Sequence, residues 1–394
     1  MKRFSVIGLM FFVAFSYTGK NYWLSHWYNK WGFMMIILSL GVGLFVGKKF
    51  SYYLTAPITW TLWQGIYVFS IAPNKYTTLP ANTFTDIRAI SAMALSLFCI
   101  VLLFFTNLPR NYSRHIREGL GWVVLLATME ILVSALVGMP ARERVVLLGN
   151  PSMVGCLMAS LFPFMIEVRL PFQKPLVAIL LKTTPLVALL LLESTLPVVV
   201  FSIVIGIYAI KQIEETQSHL FHKRDIFLGV GLSTIVATSG FIYLKFCGDN
   251  EILNSSGRFE YIWHSFQVWI KQINPLTGVG LNLTTYYLPN LQHQWNHWQE
   301  DLWFWFHSDV YQTLFEQGLI GLIAWGALAY KVIKESLNDK VLIASAVGYG
   351  VTALFNYPVH TPLGAFALAY LVWESLGLAQ IKKERAEIKS LLSN

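Results

Sequence analysis

Long apolar runs broken by short polar stretches set the pattern of this chain. A membrane-crossing helix needs roughly 20 mostly apolar residues. Runs near that length fall at 4–18, 31–47, 52–72, 88–107, 119–138, 152–168, 175–192, 196–211, 226–245, 313–333, 341–356 and 362–378. The first is short, and only a tight Glu193-Ser194-Thr195-Leu196-Pro197 turn divides the seventh from the eighth. The pattern predicts an all-α integral membrane protein with about 12 transmembrane helices. It divides the chain into an N-terminal bundle of about nine helices (1–245), a long loop (246–308), C-terminal transmembrane helices (309–378) and a tail (379–394). The opening residues resemble a signal peptide but lack a small-x-small cleavage site, so they read as an uncleaved first span.

Charge orients this pattern. Short cytoplasmic loops hold an excess of Lys and Arg. With the N-terminus inside, 19 of the 29 basic residues fall in inner segments, among them Arg110, Arg114, Arg117 and Lys340. Nine fall outside, and Lys182 lies well within a span. Both termini are therefore expected in the cytoplasm. The net charge of +8 is mostly topology, and no nucleic-acid partner is implied.

Composition agrees. Hydrophobic residues make up 55% of the chain and charged ones 13%, against about 25% charged in soluble domains. The three cysteines, Cys99, Cys156 and Cys247, suggest neither a disulfide framework nor a metal pattern.

The loop over 246–308 is expected to carry the chemistry. It holds six of the fourteen tryptophans, which argues against disorder. Trp263, Trp269, Trp295 and Trp298 offer faces for stacking on sugars. Trp303 and Trp305 fit an interfacial belt. The apolar face of 257–273 predicts short helices over the bundle. Outside basic residues run against the positive-inside bias and need a reason. Arg142, Arg144 and Arg258 present forks that fit phosphate oxygens. They suit a diphosphate at headgroup level, or equally lipid headgroups and ion pairs with Glu143, Glu251 and Glu260. His307 stands just before span ten, with Ser308 as N-cap and Asp309 in the first turn. A neutral imidazole there suits proton transfer from a hydroxyl, or simply anchors the helix at the interface. His293, His297, Glu300 and Asp301 match no metal-ligand spacing, so no metal and no cofactor are expected. Glu130 and Lys182 lie at membrane depth, where they pair with each other or line a route. Gly318, Gly321 and Gly326 predict close packing of span ten.

Three outer segments together resemble the O-antigen ligase and O-antigen polymerase family of bacterial membrane proteins. Gly149-Asn150-Pro151-Ser152, with the run to Pro163, is similar to the family's Gly-Asn-Pro-Asn stretch. Ser256-Gly257-Arg258 to Trp263, followed by Pro275-Leu276-Thr277-Gly278-Val279-Gly280, resembles its Arg-to-Trp helix and Pro-Leu-x-Gly-x-Gly turn. His307-Ser308-Asp309 through Glu316-Gln317-Gly318-Leu319-Ile320-Gly321 resembles its His-Asn to Glu-x-Gly-x-x-Gly signature. The likeness covers roughly 140–360. Relatives commonly carry a Ser-Arg pair where this chain reads Glu193-Ser194-Thr195, so either Arg142 or Arg144 stands in or the activity differs.

The resemblance implies a GT-C-like, metal-independent inverting glycosyltransferase of the bacterial inner membrane, with its long, partly helical loop periplasmic. Its donor would be a glycan on undecaprenyl diphosphate. Its acceptor would be lipid A core, another lipid-linked glycan or a protein hydroxyl, in the order ligase, polymerase, protein transferase. His307 and Arg258 would be catalytic. Arg142, Arg144, Asn150, Trp263 and Asp309 would bind substrate. The competing class is a transporter or flippase of lipid-linked glycan, and a third is a non-catalytic scaffold.

Overall fold

The computed structural model describes residues 41–42, 45–46, 52–71, 95, 97–141, 144, 151–168, 175–216, 265–271, 273–281, 284 and 308–393. All regular structure among them is helical. The longer helices are α1 (Tyr52–Ile71), α2 (Ser113–Leu136), α3 (Pro151–Glu167), α4 (Pro175–Leu191), α5 (Thr195–Thr216), α6 (Asp309–Ser336), α7 (Lys340–Phe355) and α8 (Pro362–Ser393). Each lies on an expected apolar run, and a shorter segment, Leu97–Thr106, lies on another. The expected spans at 4–18 and 226–245, and most of 31–47, lie outside the described residues. By length and composition, Arg110–Leu136, Thr195–Glu215 and Leu363–Leu391 can cross a membrane. Pro151–Glu167, Leu181–Leu191 and Lys340–Phe355 are apolar but shorter. The tail expected after 378 continues α8 as a helix to Ser393, exposed from Lys382 to Leu391.

α3 is the hub. It is apolar all round, and every residue from Met153 to Met165 is buried. A helix with no polar face is at home in lipid or inside a core, and α3 is enclosed, packing against α2, α5 and α7. Small residues let these axes approach. A Cβ on Gly121 would meet Phe164 O at 2.8 Å, and one on Gly155 would meet Pro197 Cγ at 2.7 Å. Where α3 crosses α7, the buried hydroxyls of Ser160 and Thr352 bond each other at 3.0 Å. Large side chains such as Trp63, Val133 and Ile323 stand exposed on the outside, as a lipid-facing surface requires. α6 packs against α1, α7 and α8, which places both of its ends beside other chain segments.

Candidate functional site

Of the residues singled out by sequence, His307, Arg258, Arg142, Asn150 and Trp263 lie outside the described residues, as do His293, His297, Glu300 and Asp301. Asp309 and Arg144 are described, and they stand on different elements. The expected loop helix is present over 265–271, with Phe266 stacked on the buried Trp269 at 5.7 Å between ring centres.

The first turn of α6 forms as the sequence predicts. Ser308 is extended (φ −154°, ψ 114°), and its hydroxyl accepts from Tyr311 N at 3.1 Å. Ten residues on, the helix breaks at Gly318, which adopts φ 67°. Left-handed backbone favours glycine. The break is filled by the 274–280 turn, where Gly278 has φ 70°. Leu319 N and Ile320 N, which in an unbroken helix would donate to Phe315 O and Glu316 O, donate instead to Pro275 O (2.9 Å) and Leu276 O (3.2 Å). The vacated carbonyls accept from Val279 N (3.1 Å) and Gly280 N (2.8 Å). A Cβ on Gly278 would strike the Glu316 carbonyl, and one on Gly318 would strike that of Leu276. α1 locks the junction: Trp60 Nε1 donates to Gln317 O at 3.0 Å, Thr61 Oγ1 to Gln317 Oε1 at 2.9 Å and Gln64 Nε2 to Thr277 O at 3.0 Å.

Of the close packing expected of all three glycines of span ten, Gly321 shows it against α1, while Gly318 and Gly326 do not. Gly318 is a break that receives a loop. Gly321 faces Gln317 and, at 3.2 Å, Trp60 Cδ1. Gly326 faces open space, with nothing within 4 Å of an added Cβ.

Between cap and break runs a buried polar stripe. Asp309, Gln312 and Glu316 share one helix face by their spacing, and all three are buried. Glu316 Oε1 accepts from Gln312 Nε2 at 3.0 Å and from the buried Thr284 hydroxyl. Gln312 Oε1 has no hydrogen-bond partner among the described residues. Asp309 is held at both oxygens: Val359 N donates to Oδ2 at 3.0 Å and His360 Nδ1 lies 2.9 Å from Oδ1. Its backbone N donates to Asn356 O at 3.0 Å. His360 ends the Pro358–His360 turn between α7 and α8. Burial lowers the proton affinity of His360. The Asp309 hydrogen bond and the charges of Asp309 and Glu316 overcome this and raise its pKa above the ordinary histidine value.

Arg144 reaches the turn between α4 and α5. Its Nε donates to Met139 O at 2.8 Å, its Nη1 donates to Leu191 O, and Glu193 lies 3.5 Å away. Among the described residues its ion partner is Glu193, the residue of that turn with positive φ (54°), while Glu143, Glu251 and Glu260 lie outside them. Lys182 donates to Ile166 O at 2.5 Å, so it stops the C-terminal end of α3. Two further ionisable residues within expected spans, Glu316 and Glu374, prove buried, whereas Glu130 and Lys182 are half-buried.

At the opposite end of α6 lies a second charged cluster. Arg117 donates to Asp339 at 2.5 Å, to Glu374 at 3.1 Å and to Tyr370 Oη at 3.1 Å. Arg110 donates to Glu374 at 3.1 Å and stacks over Trp373 at 4.3 Å. Ser113 donates to Glu374 at 2.7 Å. Gly377 leaves the space in which the Arg110 guanidinium lies. The cluster borders a cavity of about 490 Å³.

Sequence reasoning missed His360 and Gln312, and read Glu316 only as part of a signature. The one signal for His360 was its place in a Pro-bracketed turn, Tyr357-Pro358-Val359-His360-Thr361-Pro362, between two spans. Among the described residues no group of His, Cys, Asp and Glu is arranged to hold a metal ion. The chain matches no known family model, and no curated protein matches it.

Proposed function

We propose that this chain is a GT-C-like glycosyltransferase of the bacterial inner membrane, with about twelve spans and both termini cytoplasmic. It moves a glycan from undecaprenyl diphosphate to an acceptor hydroxyl at the periplasmic face. The leading acceptor is lipid A core, which makes it an O-antigen ligase. A glycan chain end, as in a polymerase, or a protein hydroxyl comes next.

One observation carries the reading. The stretches that resemble the ligase and polymerase family are far apart in sequence, yet hydrogen bonds link them at one end of the bundle. The Gly278 turn is spliced into the Glu316-x-Gly318 break. Asp309 N bonds Asn356 O, and Asn356 Nδ2 reaches Cys156 Sγ at 3.6 Å on the helix of the Asn-Pro stretch. Ser152 of that stretch accepts a bond from Ser194 at 3.2 Å, in the turn that Arg144 also reaches. That turn is where relatives carry their arginine, which favours Arg144 over Arg142 as the stand-in.

The chemistry follows from charge. The lipid diphosphate leaves with the electron pair of the broken glycosidic bond. Arg258, with Arg144 or Arg142, neutralises it as it departs. His307 addresses the acceptor hydroxyl, Asn150 and Trp263 hold the sugars, and a single displacement inverts the anomeric carbon. The test uses membranes carrying wild type, Arg258→Ala or His307→Ala, with undecaprenyl-diphosphate-linked oligosaccharide and lipid A core. Core-linked glycan in wild type alone supports a ligase, and lengthened donor a polymerase. Donor that crosses the membrane without being joined to any acceptor would replace this reading with a transporter.

A further inference from the structure

We propose that His360, held by Asp309, is the base that takes the acceptor hydroxyl's proton. The inference rests on the glycosyltransferase reading above and assigns a residue that the sequence signature does not contain.

Three features of the geometry support it. First, the orienting group is fixed. Both Asp309 oxygens are engaged, by Val359 N at 3.0 Å and His360 Nδ1 at 2.9 Å, and the backbone N of Asp309 is tied to Asn356 O at 3.0 Å. A carboxylate so held places the imidazole proton on Nδ1 and leaves the lone pair on Nε2. Second, Nε2 has no hydrogen bond among the described residues, and the side chain keeps 16% of its surface exposed. Nucleophile-activating bases share this arrangement, an imidazole oriented from behind by a third group. Third, the pair is in the right place. Asp309 is two residues from His307 and opens the helix whose Glu316–Gly318 break receives the Gly278 turn.

The groups facing the imidazole are Asp309 and Glu316 from α6 and the Tyr357 ring, edge-on at 6.3 Å between centres. The carboxylates stabilise the imidazolium formed during the reaction, which suits an acceptor of protons near neutral pH. As the acceptor oxygen attacks the anomeric carbon, its proton passes to His360 Nε2. The glycosidic bond to the diphosphate breaks, and the lipid diphosphate carries away the electron pair. The imidazolium then returns its proton to water. Asp309 acts as a positioning residue throughout. In this scheme His307 orients the hydroxyl.

The competing explanation is a clamp that ties the start of α6 to the α7–α8 turn. His360→Asn separates the two, because its amide N–H keeps the bond to Asp309 from the position of Nδ1 but takes no proton. Transfer from undecaprenyl-diphosphate-linked oligosaccharide to lipid A core would be measured across pH in membranes of wild type, His360→Asn, Asp309→Asn and His307→Ala. A base must be neutral to act, so wild-type transfer should rise with pH, with a midpoint above the ordinary histidine value. His360→Asn should retain normal protein levels, lose transfer by about a hundredfold or more and lose this rising limb. Asp309→Asn should move the limb to lower pH. Wild-type rates with the same limb in His360→Asn would overturn the proposal and leave the transferase reading standing. So would a limb lost in His307→Ala but kept in His360→Asn. If wild type joins glycan to no acceptor, both readings fall.

Discussion

The two ends of α6, about 40 Å apart by helical rise, carry polar groups of opposite character. At the Asp339 end, cations and carboxylates answer one another. Arg117 bridges Asp339 and Glu374, Arg110 joins Glu374, and Asp339 also caps α7 through Val341 N and Leu342 N. At the Asp309 end, carboxylates and amides are held by backbone groups and by one another. Among the described residues, an imidazole nitrogen and a buried amide oxygen are left without a hydrogen bond. A saturated ion cluster is a fastening. Oriented polar groups with capacity to spare are what chemistry needs, and perturbed titratable groups gather at such places. Within one helix, satisfaction of polar groups separates the end that fastens from the end where the proposed chemistry would lie.

The largest expected effect tests the fastening. Arg117→Ala leaves the buried Glu374 and the half-buried Asp339 without their shared cation, and because Glu374 keeps Arg110 the cost should be about 2–3 kcal/mol, below that of a fully stranded buried charge. Thermal unfolding in detergent should show the loss, while transfer per folded molecule stays normal. A selective loss of transfer instead would break the contrast between the ends. Gly318→Ala comes next. The left-handed backbone costs about 1–2 kcal/mol for a residue with a Cβ, and the Leu276 carbonyl blocks the added atom. Membrane levels should fall, and transfer should fall with them. The smallest effect is a pH dependence of stability. The raised pKa of His360 means that its ion pair with Asp309 contributes fully below the ordinary histidine value of about 6.5. The contribution disappears as pH rises through the folded-state value. The unfolding temperature should therefore decline over that window in wild type and not in His360→Asn. Activity should move the opposite way over the same window.

Much of the scaffold was legible because hydropathy is local. Helix positions followed from apolar run lengths, the Ser308 cap from one residue, and the Glu193 turn from its composition. The site was less legible because its contacts are distant. Gly278 meets Glu316 and Gly318 across nearly forty residues, and Asp309 meets His360 across fifty-one. No periodicity carries such pairings. Charge misled in a specific way. Arg110 and Arg117 read as markers of the inner side, and nothing in their own segment indicates that Glu374 turns inward to meet them. Glu316 looked like one letter of a loose motif, although its burial makes it a structural node.

The break at Gly318 also fixes how this protein comes apart. Two amides and two carbonyls of α6 have traded partners with a turn whose residues lie some forty positions earlier. Neither segment can open alone without stranding four backbone groups, each costly in a dry interior. The amides of Val279, Gly280, Leu319 and Ile320 should thus become exchangeable with deuterium in a single event. The turn and the helix form one cooperative unit, so a loop that reads as an appendage is as durable as the span it enters.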